Sequence, residues 1–144
     1  MKIKVINGPN LNLLGLRNKN IYGEQNYQDL VEMIKTYGID HHIEIDVFQS
    51  NHEGAIIDEI QQAYFDGFQA IVINPGAYTH YSIAIRDALE PLPLIKVEVH
   101  ISNIYEREIF RQVSVIEEVV NKRIWGKGTK GYLEAIDYII NLQN

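Results

Sequence analysis

Two hydrophobic periodicities alternate along the chain from end to end. Short apolar runs that read as buried strands cover Lys2–Ile6, Ile43–Phe48, Gln69–Ile73 and Leu94–Val99, with a weaker one at Arg123–Trp125. Between them, apolar residues recur at i, i+3, i+4 spacing: Tyr27, Leu30, Val31 and Ile34; Ile56, Ile57, Ile60, Ala63 and Tyr64; Ile83, Ala84 and Ala88; then Tyr132, Ala135, Ile136, Ile139 and Ile140. Helix stops are expected at Gly38, Gly67 and the Pro91–Pro93 pair. Strand and helix in steady alternation is the signature of an α/β fold with parallel strands. About five strands predict a flavodoxin-like doubly wound sheet of order 2-1-3-4-5. We read residues 1–144 as a single domain.

Each strand run stops in polar residues capable of chemistry. Val5-Ile6 leads into Asn7-Gly8-Pro9-Asn10, Ile71-Val72-Ile73 into Asn74-Pro75-Gly76-Ala77-Tyr78-Thr79-His80, and Val97-Glu98-Val99 into His100-Ile101-Ser102-Asn103. In an open parallel sheet the carboxyl ends share one edge, and ligands bind in the crevice outside it. Segments far apart in sequence are therefore expected to meet in one cleft. The longest irregular stretch, residues 8–25, starts at that edge and is a candidate lid, with Arg17 and Tyr22 as candidate electrophile and base. An ordinary surface loop is the plainer alternative.

Composition narrows the class. The 144 residues are 46% hydrophobic, enough to bury a proper core. A formal charge of −6 argues against nucleic acid or an anionic membrane as partner. With no Cys there are no disulfides, thiolate nucleophiles or cysteine metal sites, which fits a reducing compartment. No segment approaches the roughly 20 apolar residues of a membrane span. The apolar stretch near Met1 is too short for a signal-peptide core. A soluble, cytoplasmic protein is the expectation. No pair of His or acidic residues has metal-ligand spacing, so no metal is expected. His41 and His42 read as a solvent-exposed turn, Ser50 to Glu53 as a helix start, Trp125 as core or interface, and Glu117-Glu118 as a solvated face.

Two other uses of such a fold fit less well. A flavin or phosphate module wants a Ser/Thr- or Gly-rich cradle after the first strand, where Gly8–Gly15 offers mainly Asn and Leu. A phosphoacceptor domain wants acids where Asn7 and Asn74 stand.

The ordered set of Asn7–Gly15 with Arg17, Ile21-Tyr22-Gly23, Phe48–Gly54, Ile73–His80, Arg86-Asp87-Ala88 and Glu98–Asn103 resembles the type II 3-dehydroquinases over nearly the whole chain. The resemblance implies a hydro-lyase that dehydrates 3-dehydroquinate to 3-dehydroshikimate through an enolate, in the shikimate pathway or in quinate breakdown. It implies no cofactor and a homododecamer built as a tetramer of trimers. It also implies roles for individual residues. Tyr22 is the base, its phenol ionised with help from Arg17 and Arg107. His100 is the acid, held by Glu98, and Asn10 orients a water. The backbone N–H groups of Ile101 and Ser102, with the Ser102 hydroxyl, seat the substrate carboxylate, Asn74 and His80 fix ring hydroxyls, and Arg111 binds ring hydroxyls or helps balance the carboxylate. Asp87 reaches the site of an adjacent subunit.

Each assignment has a plainer alternative. His100 reads equally as a buried bonded histidine, Asn74 as a turn residue and His80 as a helix-start residue. Ser102 or Asn103 reads as the cap of a short helix over Ile104–Phe110, Arg111 as a surface charge on it, and Asp87 as a salt-bridge partner of Arg86 or a neighbouring residue. The chain departs from the family pattern at Gln112, Tyr81, Lys127, Leu16 and the Asn18-Lys19-Asn20 segment.

Overall fold

The computed structural model describes residues 1–16 and 24–144. Five strands, β1 (Lys2–Asn7), β2 (Glu44–Gln49), β3 (Ala70–Asn74), β4 (Ile95–His100) and β5 (Lys122–Trp125), form one sheet of order β2-β1-β3-β4-β5. Every pairing is parallel. The connecting helices are α1 (Tyr27–Asp40), α2 (Glu53–Phe65), α3 (Ile83–Leu89) and α4 (Lys130–Gln143). The expected doubly wound order is the one observed.

Strand alternation sorts the side chains into two cores. Ile3, Val5, Val72, Val97 and Val99 point into one with Leu30 and Ile34 of α1 and Tyr132, Ile136 and Ile139 of α4. Ile6, Ile71 and Ile73 point into the other with Ile56 and Ile60 of α2 and Ile85 and Leu89 of α3. On β4 the second face is polar: Lys96, Glu98 and His100 follow one another and are all buried. The Lys96 ammonium donates to the carbonyls of Leu89 and Leu92, at 2.8 and 3.0 Å, closing the end of α3. Glu98 and His100 lie further along, at the edge where the strands end.

Backbone pairing runs further than the apolar runs do. β1, β2, β3 and β4 each end one residue beyond the expected boundary, on Asn7, Gln49, Asn74 and His100. Asn7 pairs in register with both Gln49 and Asn74, so these side chains are fixed by the sheet.

The helix ends show where local signals hold. Asn26 and Asp29 form a reciprocal capping box at the start of α1, and the Ser82 hydroxyl accepts from the Ile85 N–H at the start of α3. Gly67 ends α2 as expected, at φ 80°, with the Phe68 N–H returning to the Ala63 carbonyl at 3.0 Å. Gly38 does not end α1, which continues to Asp40. The left-handed residue there is His42, at φ 57°. Gly38 is glycine because a Cβ would sit 2.8 Å from Ile45 and 3.0 Å from the Ile43 carbonyl.

The helix expected over Ile104–Phe110 is instead two 3₁₀ turns, Ile104–Glu106 and Ile109–Arg111, separated by extended backbone at Arg107. Arg86 does not pair with Asp87. It donates to the Val115 carbonyl at 2.9 Å and to Glu118 at 3.2 Å. His41 and His42 are exposed, as expected. Trp125 is not core: it is 38% exposed, edge-on to Tyr105.

Candidate active site

The loops after β1 and β3 interlock at the sheet edge. The Gly8 N–H donates to the Asn74 carbonyl at 2.8 Å, and a Cβ on Gly8 would lie 2.5 Å from the Pro75 carbonyl oxygen. Asn10, on the far side of Pro9, adopts φ 69°, a left-handed conformation that Asn tolerates better than most residues. It lines a cavity of about 150 Å³, together with Asn74, His80, His100, Ser102, Arg107 and Arg111. Ile101 lines it too, so eight residues expected at the site converge on one cavity.

Asn74 is tied from the cavity into a polar chain behind it. The Tyr132 hydroxyl donates to Asn7 Oδ1 at 2.7 Å and accepts from Asn74 Nδ2 at 2.9 Å. Asn7 Nδ2 in turn donates to the Tyr27 hydroxyl at 3.3 Å. Asn74 Oδ1 accepts from the Gly76 N–H at 3.1 Å, so Asn74 is a turn residue and a cavity residue at once. Burial pushes the Tyr27 and Tyr132 phenols up, which keeps both neutral as this chain requires.

The His100 Nε2 to Glu98 Oε2 contact is 2.5 Å. Since a carboxylate only accepts, Nε2 carries the proton and Nδ1 is left to the cavity. Glu98 is fully buried and accepts also from Thr79 at 2.5 Å, from Ser114 at 2.9 Å and from Arg123 Nε at 3.0 Å. Burial alone would raise its pKa, but the bonds from His100 and Thr79 and the charge of Arg123 hold it below the usual carboxylate range.

His80 is the last residue of a 3₁₀ turn, Gly76–His80, and does not start α3. Its Nδ1 lies 2.7 Å from the Val113 carbonyl, so Nδ1 carries the hydrogen and Nε2 is an acceptor. Burial, the nearby His100 and Arg111 press its pKa down, favouring the neutral ring.

Past the end of β4, two glycines hold the Ile101–Ser102 turn. Gly126 and Gly128, both at positive φ, donate their N–H groups to the carbonyls of Ser102 and Ile101 at 3.0 and 3.1 Å. Those peptides are thereby turned, and among the described residues the N–H groups of Ile101 and Ser102 enter no backbone bond. Asn103 caps the following turn through the Tyr105 N–H at 3.0 Å, which settles which of the two candidate residues is the cap. Arg111 is not simply a surface charge. Its Nε is held by Glu108 at 2.9 Å and its guanidinium lies 5.1 Å from the Phe110 ring, at the cavity wall.

Two site candidates, Arg17 and Tyr22, lie outside the described residues, with Gly23 and the Asn18-Lys19-Asn20 segment. Asp87 lies on α3 and does not line this cavity.

Comparison with known proteins fixes the lineage. A family model described as dehydroquinase class II matches residues 1–140. The chain belongs to the class II dehydroquinase family. It is 56% identical to a 3-dehydroquinate dehydratase of Lachnospira eligens, covering 99% of this chain and 97% of the relative. It is 58% identical to one from Thermotoga petrophila, over 96% and 94%. The crystal structure of a type II dehydroquinase from Butyrivibrio crossotus superposes with a TM-score of 0.96 at 62% identity, covering 97% of each chain.

In this class II dehydroquinase, Gln112, Tyr81 and Lys127, three of the departures from the family pattern, do not themselves line the cavity. Gln112 donates to the Arg107 carbonyl at 3.0 Å, inside the loop that carries both cavity arginines. Tyr81 is exposed and edge-on to Tyr78, while Lys127 is exposed and paired with Glu134 at 2.8 Å.

The sequence reading missed the residues behind the cavity: Asn7, Tyr132, Thr79, Ser114 and Arg123. One signal was available for Arg123. β4 alternates Lys96, Glu98, His100 on one face, and an acid on a central strand needs a partner from a neighbouring strand. Arg123 is the β5 residue in register with Glu98.

Proposed function

We propose that this chain removes water from 3-dehydroquinate to give 3-dehydroshikimate, a hydro-lyase step of the shikimate pathway, and that it does so through an enolate in the cavity at the sheet edge. The observation that carries the reading is the Glu98–His100 pair at 2.5 Å opening on a cavity whose other walls offer an anion seat and two arginines. These supply the acid and the substrate anchors for proton abstraction beside a ketone followed by loss of a hydroxyl, and Tyr22 is the base.

Tyr22, as phenolate, takes the proton alpha to the ketone, and Arg17 and Arg107 favour that anion. A free phenol is only about 0.1% ionised at neutral pH, so cationic neighbours matter. The electron pair moves onto the carbonyl oxygen, where a water oriented by Asn10 stabilises the enolate. As the enolate collapses, the ring C–O bond breaks and His100 delivers a proton from Nδ1 to the departing hydroxyl, releasing water. Glu98 steadies the imidazolium before that transfer. The Ile101 and Ser102 N–H groups hold the substrate carboxylate, Arg111 adds charge there, and neutral His80 accepts from a ring hydroxyl while Asn74 fixes another.

Asp87 completes the site of an adjacent subunit in a homododecamer, and the enzyme works in the cytoplasm. No helix among the described residues is long and apolar enough to cross a membrane. The test is direct: purified protein is mixed with 3-dehydroquinate and the ultraviolet absorbance of the conjugated product is followed. A rise that depends on enzyme concentration supports the reading, and none across a range of pH and buffer overturns it.

A further inference from the structure

We propose that Arg123 is a positioning residue for this reaction: from the edge strand it supplies the fixed charge that keeps Glu98 an anion, and through Glu98 it keeps the His100 proton on Nε2 and Nδ1 toward the cavity. This rests on the dehydratase reading, with His100 as proton donor.

Arg123 stands directly opposite Glu98 in the β4–β5 register, with its Nε 3.0 Å from Oε1. Its side chain is 8% exposed and that of Glu98 is fully buried, so the pair meets where charge is weakly screened. It is not among the residues lining the cavity, so it acts only through another group.

The other donors to Glu98 do not fix its charge state. The Thr79 and Ser114 hydroxyls either donate or accept, and so tolerate a protonated carboxyl as well as an ionised one. His100 changes its own charge during the proposed reaction. Ile73, the β3 residue in register with Glu98, carries no charge. Lys96, on the same face of β4, is committed to the Leu89 and Leu92 carbonyls. Glu117 faces the outer side of Arg123 at 3.2 Å, and His80 and Arg111 face His100 across the cavity. Among the described residues only Arg123 places a permanent cation on the Glu98 carboxylate.

Packing alone does not account for an arginine here. β5 is a four-residue edge strand, where a β-branched apolar residue would serve the sheet. The guanidinium instead lies against the Tyr105–Trp125 pair, with ring centroids 6.0 and 5.6 Å from Cζ, and Nη1 donates to the Tyr105 hydroxyl at 3.0 Å. Nη2 is buried with no hydrogen-bond partner among the described residues. A buried, incompletely bonded guanidinium is costly, and its retention beside Glu98 fits an electrostatic task.

The test compares Arg123→Met, Arg123→Lys, Glu98→Gln and the Glu98→Gln/Arg123→Met double variant. Arg123→Met is expected to lower kcat about tenfold at neutral pH with KM within about twofold, and to move the pH–rate profile upward by about one unit, since removing a cation raises the proton affinity of the acid–imidazole pair. In ¹⁵N-histidine spectra His100 moves from the Nε2–H tautomer toward Nδ1–H, because a protonated Glu98 donates to Nε2. Arg123→Lys keeps the wild-type profile and tautomer. In the Glu98→Gln background, Arg123→Met adds less than about a twofold effect. A folded Arg123→Met protein with wild-type profile and tautomer overturns the proposal. If Arg123→Met does not fold, the double variant decides: its folding supports electrostatic coupling, and its failure assigns Arg123 to packing. Should the dehydratase reading itself fail, wild-type protein would be inert toward 3-dehydroquinate, while the tautomer and folding comparisons would still report on Arg123.

Discussion

At the scale of single residues, the cavity depends on groups that never touch it. Tyr132 sits in α4 as a core residue, yet its hydroxyl joins Asn7 to Asn74 at the sheet edge. Tyr132→Phe leaves Asn7 Oδ1 and Asn74 Nδ2 without that buried partner, at a cost of about 2 kcal/mol. A lower denaturant midpoint with unchanged slope is expected, with a raised KM because Asn74 loses its anchor. Glu98 ties stability to pH with a definite sign. Its folded pKa is depressed, so its contribution is complete above the usual glutamate range and is lost as pH falls through the lower folded value. Wild type should therefore lose stability as pH falls below the usual glutamate range more steeply than Glu98→Gln does. At neutral pH the substitution costs about 3–5 kcal/mol, because Arg123 is left buried with its main counter-charge gone. Denaturant unfolding across a pH series measures both effects, and parallel curves for the two proteins would contradict the assignment.

At the scale of elements, the hydrophobic pattern identified the five strands and four α-helices of the described residues, because each buries a face whose spacing is set by backbone geometry, whereas the short 3₁₀ turns carry no such period. Boundaries were less legible. β4 ends on His100 and β3 on Asn74 because ladder pairing continues past the last apolar side chain, and polarity does not reveal that. Gly38 shows the complementary error. A glycine near a helix end reads as a stop, but this one lets α1 lie against β2. Two substitutions separate local propensity from packing. Gly54, in the first turn of α2, has open space where a Cβ would stand, and Gly54→Ala should stabilise by about 0.5 kcal/mol. Gly38→Ala enjoys a similar intrinsic gain but meets Ile45 and the Ile43 carbonyl, and should destabilise by about 1 kcal/mol or more. Thermal unfolding of the two variants should shift in opposite directions.

At the scale of the whole molecule, parallel topology explains why so much of the cavity was legible. Asn10, Asn74, His80 and His100 end or follow three strands that must finish on one edge, so reading the strands located these residues. The shell behind them was not legible in the same way. Ser114 lies in a loop with no periodic signal, and Arg123 gains meaning only from its register with Glu98. Asp87 belongs to a still larger scale. It lies on α3, in a shallow apolar surround of Tyr64, Phe65, Pro91 and Pro93, and Arg86 beside it is engaged elsewhere. An acid so placed cannot serve the cavity of its own subunit without rearrangement, and under the shared-site proposal it serves a neighbour docked against α3. If it completes that neighbour's site, Asp87→Ala and Tyr22→Phe disable different halves of a shared centre. Each variant alone should be nearly inactive, general-base loss alone costing about 10²–10⁴-fold. Subunits mixed and allowed to exchange should regain part of the activity, because some interfaces then pair an intact Tyr22 with an intact Asp87. Native mass spectrometry establishes that mixed oligomers form, and the product absorbance reports activity. Mixed oligomers without recovered turnover, or isolated monomers at full rate, would show that each subunit's site is complete in itself.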